Sequence, residues 1–432
     1  MNIPTIGAAG ANVVNYARGY DFEYTNGMPI RYVGFPFPVA GQPRSVAHSY
    51  VFERNDVVTG KPMMQAIVDA WTKPLTEKEK ISGKPPEARP EPRLLKADTE
   101  DNLQQLFKDM DWTDYNPIIL PTEERVAAML KGTSRKPDEV VKVINWPGGA
   151  RAMTVEKVAV CAVMAGAKPA HFPLILAVST AVPFGNSTSS MANMILVNGP
   201  VRNELKMNYG LNVMGPHSEV NSVVGRAYTL LSKTAGNLHS GKTTFSGLGS
   251  NIQYNNLCIA ENEEALPAGW QPTHVLKGFK PADSIVTVGT GWSYISSVGE
   301  VQLHYPPQHL IRDYMRSLTG MGATVIMTPE VAGILKDAQG FSTKRDLSKW
   351  LAENVEKTVG SYWGNGVIST MYSSMAMQGL EPFASQRKQD PETMMKPLQA
   401  GQVNIVVAGQ GQTTWFVTDF GVGRGTKVDD WK

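Results

Sequence analysis

NMILVNGPVRNEL (193–205), MGPHSEVNSVVGRAYTLL (214–231) and LCIAENEEALP (257–267) decide how this chain is read. The first is an apolar run closed by Asn198-Gly199-Pro200. The second is a Gly-Pro turn that opens a helix carrying His217, Asn221 and Arg226. The third is an apolar run that ends in Glu261, Asn262, Glu263 and Glu264. Apolar runs that break into polar, charge-bearing turns are how an α/β protein builds a small-molecule site, at strand ends and helix N-termini.

The same alternation extends outward. Ile118–Leu120, Leu174–Val178, Met194–Val197, Leu257–Ala260, Ile285–Val288, Ala323–Met327 and Asn404–Ala408 read as buried strands. Thr122 caps a helix with Glu123 and Glu124 in its first turn, where acids favour the dipole. Further helices are expected over 154–167, 220–232, 308–319 and 330–337, and over 343–359 opened by Ser342. Strands alternating with helices predict an α/β fold, with a mixed and mostly parallel sheet flanked by helices. No short-period internal repeat is visible.

The first 75 residues form an irregular N-terminal extension. Tyr32 to Pro38 reads as an edge strand or extended arm, because each Pro removes a ladder donor. Lys61–Trp71 has helical spacing. Residues 76–100 form a Pro-rich linker, and residues 101–432 form the body, with a lobe division expected near 265–320.

Composition narrows the class. An apolar content of 42% with 19% charge is that of a folded chain, and a net charge of +2 gives no basis for nucleic-acid binding. No run is long enough to span a membrane, and no signal peptide is visible. Two cysteines, Cys161 and Cys258, lie in apolar segments and make no disulfide framework, so a reducing, cytoplasmic setting is expected. Most of the 20 methionines read as core filler.

The site candidates follow from these turns. Arg202 and Arg226 are candidate anchors for a substrate carboxylate, and Asn198 and Asn221 would orient it. His217, Glu261 and Glu263 are the acid–base candidates, and the same three are the candidates for a divalent metal. Glu261 and Glu263 alternate, so in extended chain they share one face. Gly409, Gln410 and Gly411 form a Gly-rich wall after a strand, without the Lys-Ser/Thr of a phosphate loop, so no nucleotide cofactor is evident. Each segment also has an ordinary reading: a strand-to-helix turn, a well-capped helix, a solvated acidic loop.

NPIILPTEERV (116–126), Pro147-Gly148-Gly149, TVEKVAV (154–160) and VMAGAKP (163–169), followed by LVNGP (196–200), VGRA (224–227), AENEE (260–264) and IVVAG (405–409), resemble the large proteins related to the UGSC selenoprotein family, over roughly residues 110–420. The resemblance implies an intracellular α/β protein linked to thiol or selenol chemistry. The chain departs from that pattern at Ala167, where a Cys is expected, and near Ser190, where a His-Pro pair is expected. The Cys-Gly-Ser-Cys motif is absent, so a redox thiol or selenol would come from a small partner protein.

The expectation is therefore an enzyme, of lyase or hydrolase type, that cleaves or forms a carbon–heteroatom bond in a small, carboxylate-bearing substrate. The alternatives are a subunit of a thiol/selenol-linked redox system and a metal-dependent oxidoreductase. A homo-oligomer is expected, because the N-terminal segment offers little core of its own.

Overall fold

The computed structural model describes residues 6–11, 13–14, 17, 30–37, 39, 42–80, 92–146, 149–181, 192–240, 244, 246–297 and 305–432. The centre of the Pro-rich linker (81–91), Pro147, Gly148, Ser189, Ser190 and Met191 lie outside the described residues.

Two four-stranded sheets carry the body. The first contains β5 (Ala192–Asn198), β6 (Leu257–Ala260), β7 (Ile285–Gly291) and β14 (Gly425–Lys427), in the order β14-β7-β5-β6. The second contains β8 (Tyr294–Ser296), β9 (Ala323–Met327), β12 (Val403–Val407) and β13 (Trp415–Thr418), in the order β12-β9-β13-β8. Side-chain alternation shows how they stack. Met194, Leu196, Leu257 and Ile259 meet Ile326, Val406, Ala408 and Phe416 in one apolar layer between the sheets. Their strand neighbours Ile195, Val197, Cys258 and Ala260 face outward onto the helices Val155–Met164, Phe172–Thr180 and Glu219–Lys233. On the other side Val325, Met327, Ile405 and Val407 pack on Pro307–Met315, Pro329–Asp337 and Lys344–Asn354. The result is a helix–sheet–sheet–helix sandwich, and every central strand is buried on both faces.

The two sheets repeat one another. β5 pairs parallel with β6 and antiparallel with β7, and β9 pairs parallel with β12 and antiparallel with β13. After β7 the chain crosses to the second sheet, where β8 pairs with β13. After β13 it crosses back, where β14 pairs with β7. The crossings run through Gly289-Thr290-Gly291 and Gly421-Val422-Gly423. A Cβ on Gly289 would lie 1.4 Å from the Gly421 carbonyl oxygen, and one on Gly423 would lie 2.4 Å from that of Val288. Glycine is what lets the two chains cross here.

Several expectations need correction. The two sheets are mixed but not mostly parallel, since their antiparallel pairings outnumber the parallel β5–β6 and β9–β12 pairs. Leu174–Val178 is helical, within Phe172–Thr180. It is buried all round, so its apolar run carries no period, and Pro173 suits the first helical turn. Ile118–Leu120 is unpaired coil. The helix expected over 343–359 ends at Asn354, and its cap is Thr343, in a capping box with Asp346. The chain passes from the first sheet to the second between β7 and β8, inside the expected 265–320 range, and β14 returns to the first sheet.

The hairpin of β3 (Val140–Trp146) and β4 (Gly149–Thr154) leads into the body. The N-terminal unit is more ordered than an irregular arm. Its parallel pair β1 (Ile6–Gly10) and β2 (Arg31–Phe35) packs on Met63–Thr72 around Val33, Met63 and Ala66. The small pair β10 (Lys357–Thr358) and β11 (Met394–Met395) brackets the helices between 359 and 387.

Gly289→Ala should destabilise the protein by about 3 kcal/mol or more, because two backbones must separate. Gly333→Ala, in a helix with open space around it, should instead gain about 0.5–1 kcal/mol. Urea unfolding of both variants checks the pair, and equal effects would show that the crossing is not tight.

Candidate functional site

The carboxyl ends of β5, β6, β9 and β12 meet. The backbone N–H of Asn262 donates to the Val407 carbonyl (2.7 Å), and its Nδ2 donates to that of Gly409 (3.3 Å). The turn after β6 is thereby clamped to the turn after β12. A loop from the β5 side closes over the same point, where the Gly409 N–H donates to the Tyr209 carbonyl (2.8 Å).

Glu261 stands at the centre with 0% exposure. It shares its strand parity with Leu257 and Ile259, so its carboxylate points between the sheets. Asn198 Nδ2 (2.6 Å), the Thr273 N–H (2.7 Å) and hydroxyl (3.0 Å), the Val407 N–H (3.4 Å) and Lys344 Nζ all donate to it. Lys344 is 2% exposed. Burial pushes the Glu261 carboxyl up, but the charge and hydrogen bond of Lys344 outweigh it and hold the group below its ordinary value. Glu261 is thus fully engaged by donors of its own chain.

Glu263 reaches the same Asn198 amide, but through a tight turn at Asn262, where the Glu263 N–H donates to the Glu261 carbonyl (3.0 Å), and not through the extended chain expected there. Its Oε1 accepts from Asn198 Nδ2 (2.9 Å) and the Gly199 N–H (2.8 Å), and its Oε2 is 3.2 Å from Arg202. The positive φ of Gly199 (81°) turns that N–H toward it, and a Cβ there would strike the Asp283 carbonyl. His274 is 0% exposed, with Nδ1 3.7 Å from Glu263 Oε1. Neither ring nitrogen of His274 has a hydrogen-bond partner among the described residues, and neither does Asn198 Oδ1.

The two expected anion anchors are already occupied. Arg202 is 3% exposed. It donates to the Glu264 carboxylate with both terminal nitrogens (3.0 and 3.1 Å) and to the carbonyls of Glu261 (2.6 Å) and Gly199 (3.0 Å). Burial raises the Glu264 carboxyl, but Arg202 and Asn203 outweigh it and lower it to about 2. Arg226 points away from the cluster, donating to Asp114 (2.9 and 3.0 Å) and the Pro117 carbonyl (2.8 Å). Asn221 is spent on structure. It accepts from the Asn208 N–H (3.1 Å) and the Ser218 hydroxyl (2.8 Å), fixing the 205–218 loop, while Ser218 caps the helix. His217 stands at the surface over Gly215.

With Glu261 bound to Lys344 and His217 outside the cluster, the expected metal set does not assemble. Among the described residues no three His, Cys, Asp or Glu side chains gather as one. The Gly409–Gly411 turn does line the cluster. Both glycines have positive φ, Gly409 is buried, Gln410 is exposed, and the Gly411 N–H donates to Glu330 (2.8 Å).

Sequence reasoning missed Lys344, Thr273 and His274. Lys344 left a trace: a lysine in the first helical turn opposes the dipole, which argues for a carboxylate partner elsewhere. Thr273 and His274 left none.

No family model, curated protein or solved structure matches this chain. The resemblance to the UGSC-related proteins therefore rests on its quoted motifs alone. No helix among the described residues is long and apolar enough to cross a membrane.

Lys344→Met should cost about 3–5 kcal/mol, because Glu261 would be left buried and unpaired. The carboxyl of Glu261 is depressed from its ordinary 4.5. Its stabilising contribution is therefore complete above that value and is lost as pH falls through the lower folded value. Acid titration of the unfolding midpoint should show a smaller loss in Glu261→Gln than in wild type. Burial also raises the thiols, Cys161 to about 11 and Cys258 to about 12. Neither should react with DTNB at pH 8 until the protein is unfolded, and rapid native-state labelling would refute their burial.

Proposed function

We propose that this chain is an enzyme that makes or breaks a carbon–heteroatom bond in a small polar substrate by acid–base chemistry, at the carboxyl ends of β5, β6, β9 and β12. One observation carries the reading. Asn198 Oδ1 and both ring nitrogens of His274 are buried beside the Glu263 carboxylate without hydrogen-bond partners among the described residues. Buried polar groups are normally paired, and α/β folds seat ligands at such strand ends.

In this reading Glu263 and His274 move the proton. Asn198 Oδ1 accepts a hydrogen bond from the substrate, and the Gly409–Gly411 turn forms one wall. Arg202 and Lys344 hold the glutamates in place rather than binding a carboxylate. That shifts the expected substrate toward a molecule with an N–H or O–H donor. A reducing, cytoplasmic setting suits two buried, unpaired cysteines. A homo-oligomer belongs to the same proposal, supported by Phe52 (59% exposed) and Trp71 (56%) on the N-terminal unit.

A thermal-shift screen of small amines, amides and hydroxy acids, followed by turnover assays on the hits, tests the site. Glu263→Gln and His274→Gln, each shown to be folded by circular dichroism, should each lose about a hundredfold or more in kcat. Unchanged kcat in both folded variants would sink the reading.

A further inference from the structure

The N-terminal unit carries more apolar surface than it covers. Among the described residues its core cluster holds three buried side chains, Val33, Met63 and Ala66, and it is separate from the clusters of the body. Its sheet is a two-stranded parallel pair. Parallel strands are normally covered on both faces, and two strands over so small a core do not hold a unit of this size. A further apolar contact has to supply what is missing.

The helix Met63–Thr72 shows where that contact lies. At about 3.6 residues per turn, Met63 and Ala66 fall on the covered face, and Met64, Val68 and Trp71 form a second stripe beside it at i, i+4 and i+7. All three stripe residues are exposed. Gln65, Asp69 and Thr72 make up the polar face. Phe52 ends the helix Arg44–Phe52 and is brought to the Met64 end of the stripe, because the Met63 N–H donates to the Arg54 carbonyl (2.9 Å).

Charge and symmetry say what fits this face. Residues 1–80 carry eight basic and seven acidic side chains. The two lysines that flank the stripe, Lys61 and Lys73, are both paired with Asp69 (2.6 and 2.7 Å). Such a surface has no net field to draw a nucleic acid, an anionic membrane or an acidic peptide. The stripe is instead nearly symmetric about Val68. Laid antiparallel on itself, it sets Val68 against Val68 and Trp71 against Met64 and Phe52, as sulfur–aromatic and aromatic contacts. Size agrees. Large apolar side chains cover roughly 150–250 Å² each, so the open fractions of Phe52, Met64 (40%), Val68 (42%) and Trp71 leave on the order of 400 Å² per copy. Two such faces give about 800 Å² of apolar area, which is what an interface of about 1,200 Å² needs at roughly 60% apolar, the lower bound for a stable one.

We propose that the exposed stripe of the helix Met63–Thr72 is a twofold dimer contact, and that its occupant is the same stripe of a second copy. The inference rests on the homo-oligomer of the preceding reading and names its surface. It is independent of the strand-end site.

The test measures the mass of the full chain by light scattering over a dilution series. Wild type should be a dimer that dissociates on dilution. Val68→Glu and Trp71→Ala, each shown to be folded by circular dichroism, should raise the dissociation constant about tenfold or more. Oxidation with diamide should cross-link Val68→Cys into a covalent dimer about tenfold faster than Gln65→Cys, because a residue on a twofold axis meets its own copy. A wild-type monomer at every concentration overturns this contact and the homo-oligomer together. A dimer that persists in both folded variants overturns the contact alone and leaves the homo-oligomer standing. Cross-linking of Val68→Cys no faster than that of Gln65→Cys overturns the antiparallel pairing about Val68.

Discussion

The buried pair of Glu261 and Lys344 is the interaction on which the arrangement of this protein depends. Its carboxylate gathers donors from the end of β5, from the segment around Thr273, from β12 and from the first turn of the helix Lys344–Asn354. Those four pieces belong to both sheets and to an outer helix layer. Two charges this deep gain little net stability over an apolar replacement, because their desolvation cancels much of the attraction. What the pair supplies is placement. Both groups must find each other, so the two sheets have one register at their carboxyl ends.

At the other end, placement is steric. The chain passes twice between the sheets, and Gly289 lies against the Gly421 carbonyl while Gly423 lies against that of Val288. The topology of β5, β6 and β7 recurs in β9, β12 and β13, and each half lends a strand to the other. The halves cannot part without breaking two antiparallel pairings, which makes one cooperative body of what would otherwise be two stacked units. An ion pair fixes one end and a glycine contact fixes the other.

The polar cluster sits at the first of these two constrained ends. Strand ends held rigidly from several directions can keep polar atoms unpaired, as Asn198 Oδ1 and the His274 ring are among the described residues. Arg202 illustrates the opposite outcome. Surrounded by Glu263, Glu264 and two carbonyls, it is fully satisfied, and its charge serves the glutamates.

The sequence by itself determined the elements whose cause is local. The runs Leu257–Ala260 and Ala323–Met327 are strands as written, and Thr122 caps its helix through its own hydroxyl. That Asn198, Glu261 and Gly409 lie near one another was legible, because each closes or follows an apolar strand, whereas the His217–Arg226 segment read with them faces elsewhere. Tertiary structure decided the rest. Leu174–Val178 became helix because an all-buried run has no period to betray it. Strand sense in the two main sheets, the exchange of β8 and β14, and the long-period repeat depend on partners more than sixty residues away in sequence. The partners of Arg202, Arg226 and Asn221 were decided by which acid or backbone group lay within reach, and His274 reached the Glu263 carboxylate with no local signal. A side chain's type fixes what it can bond, but only the fold fixes which partner it meets.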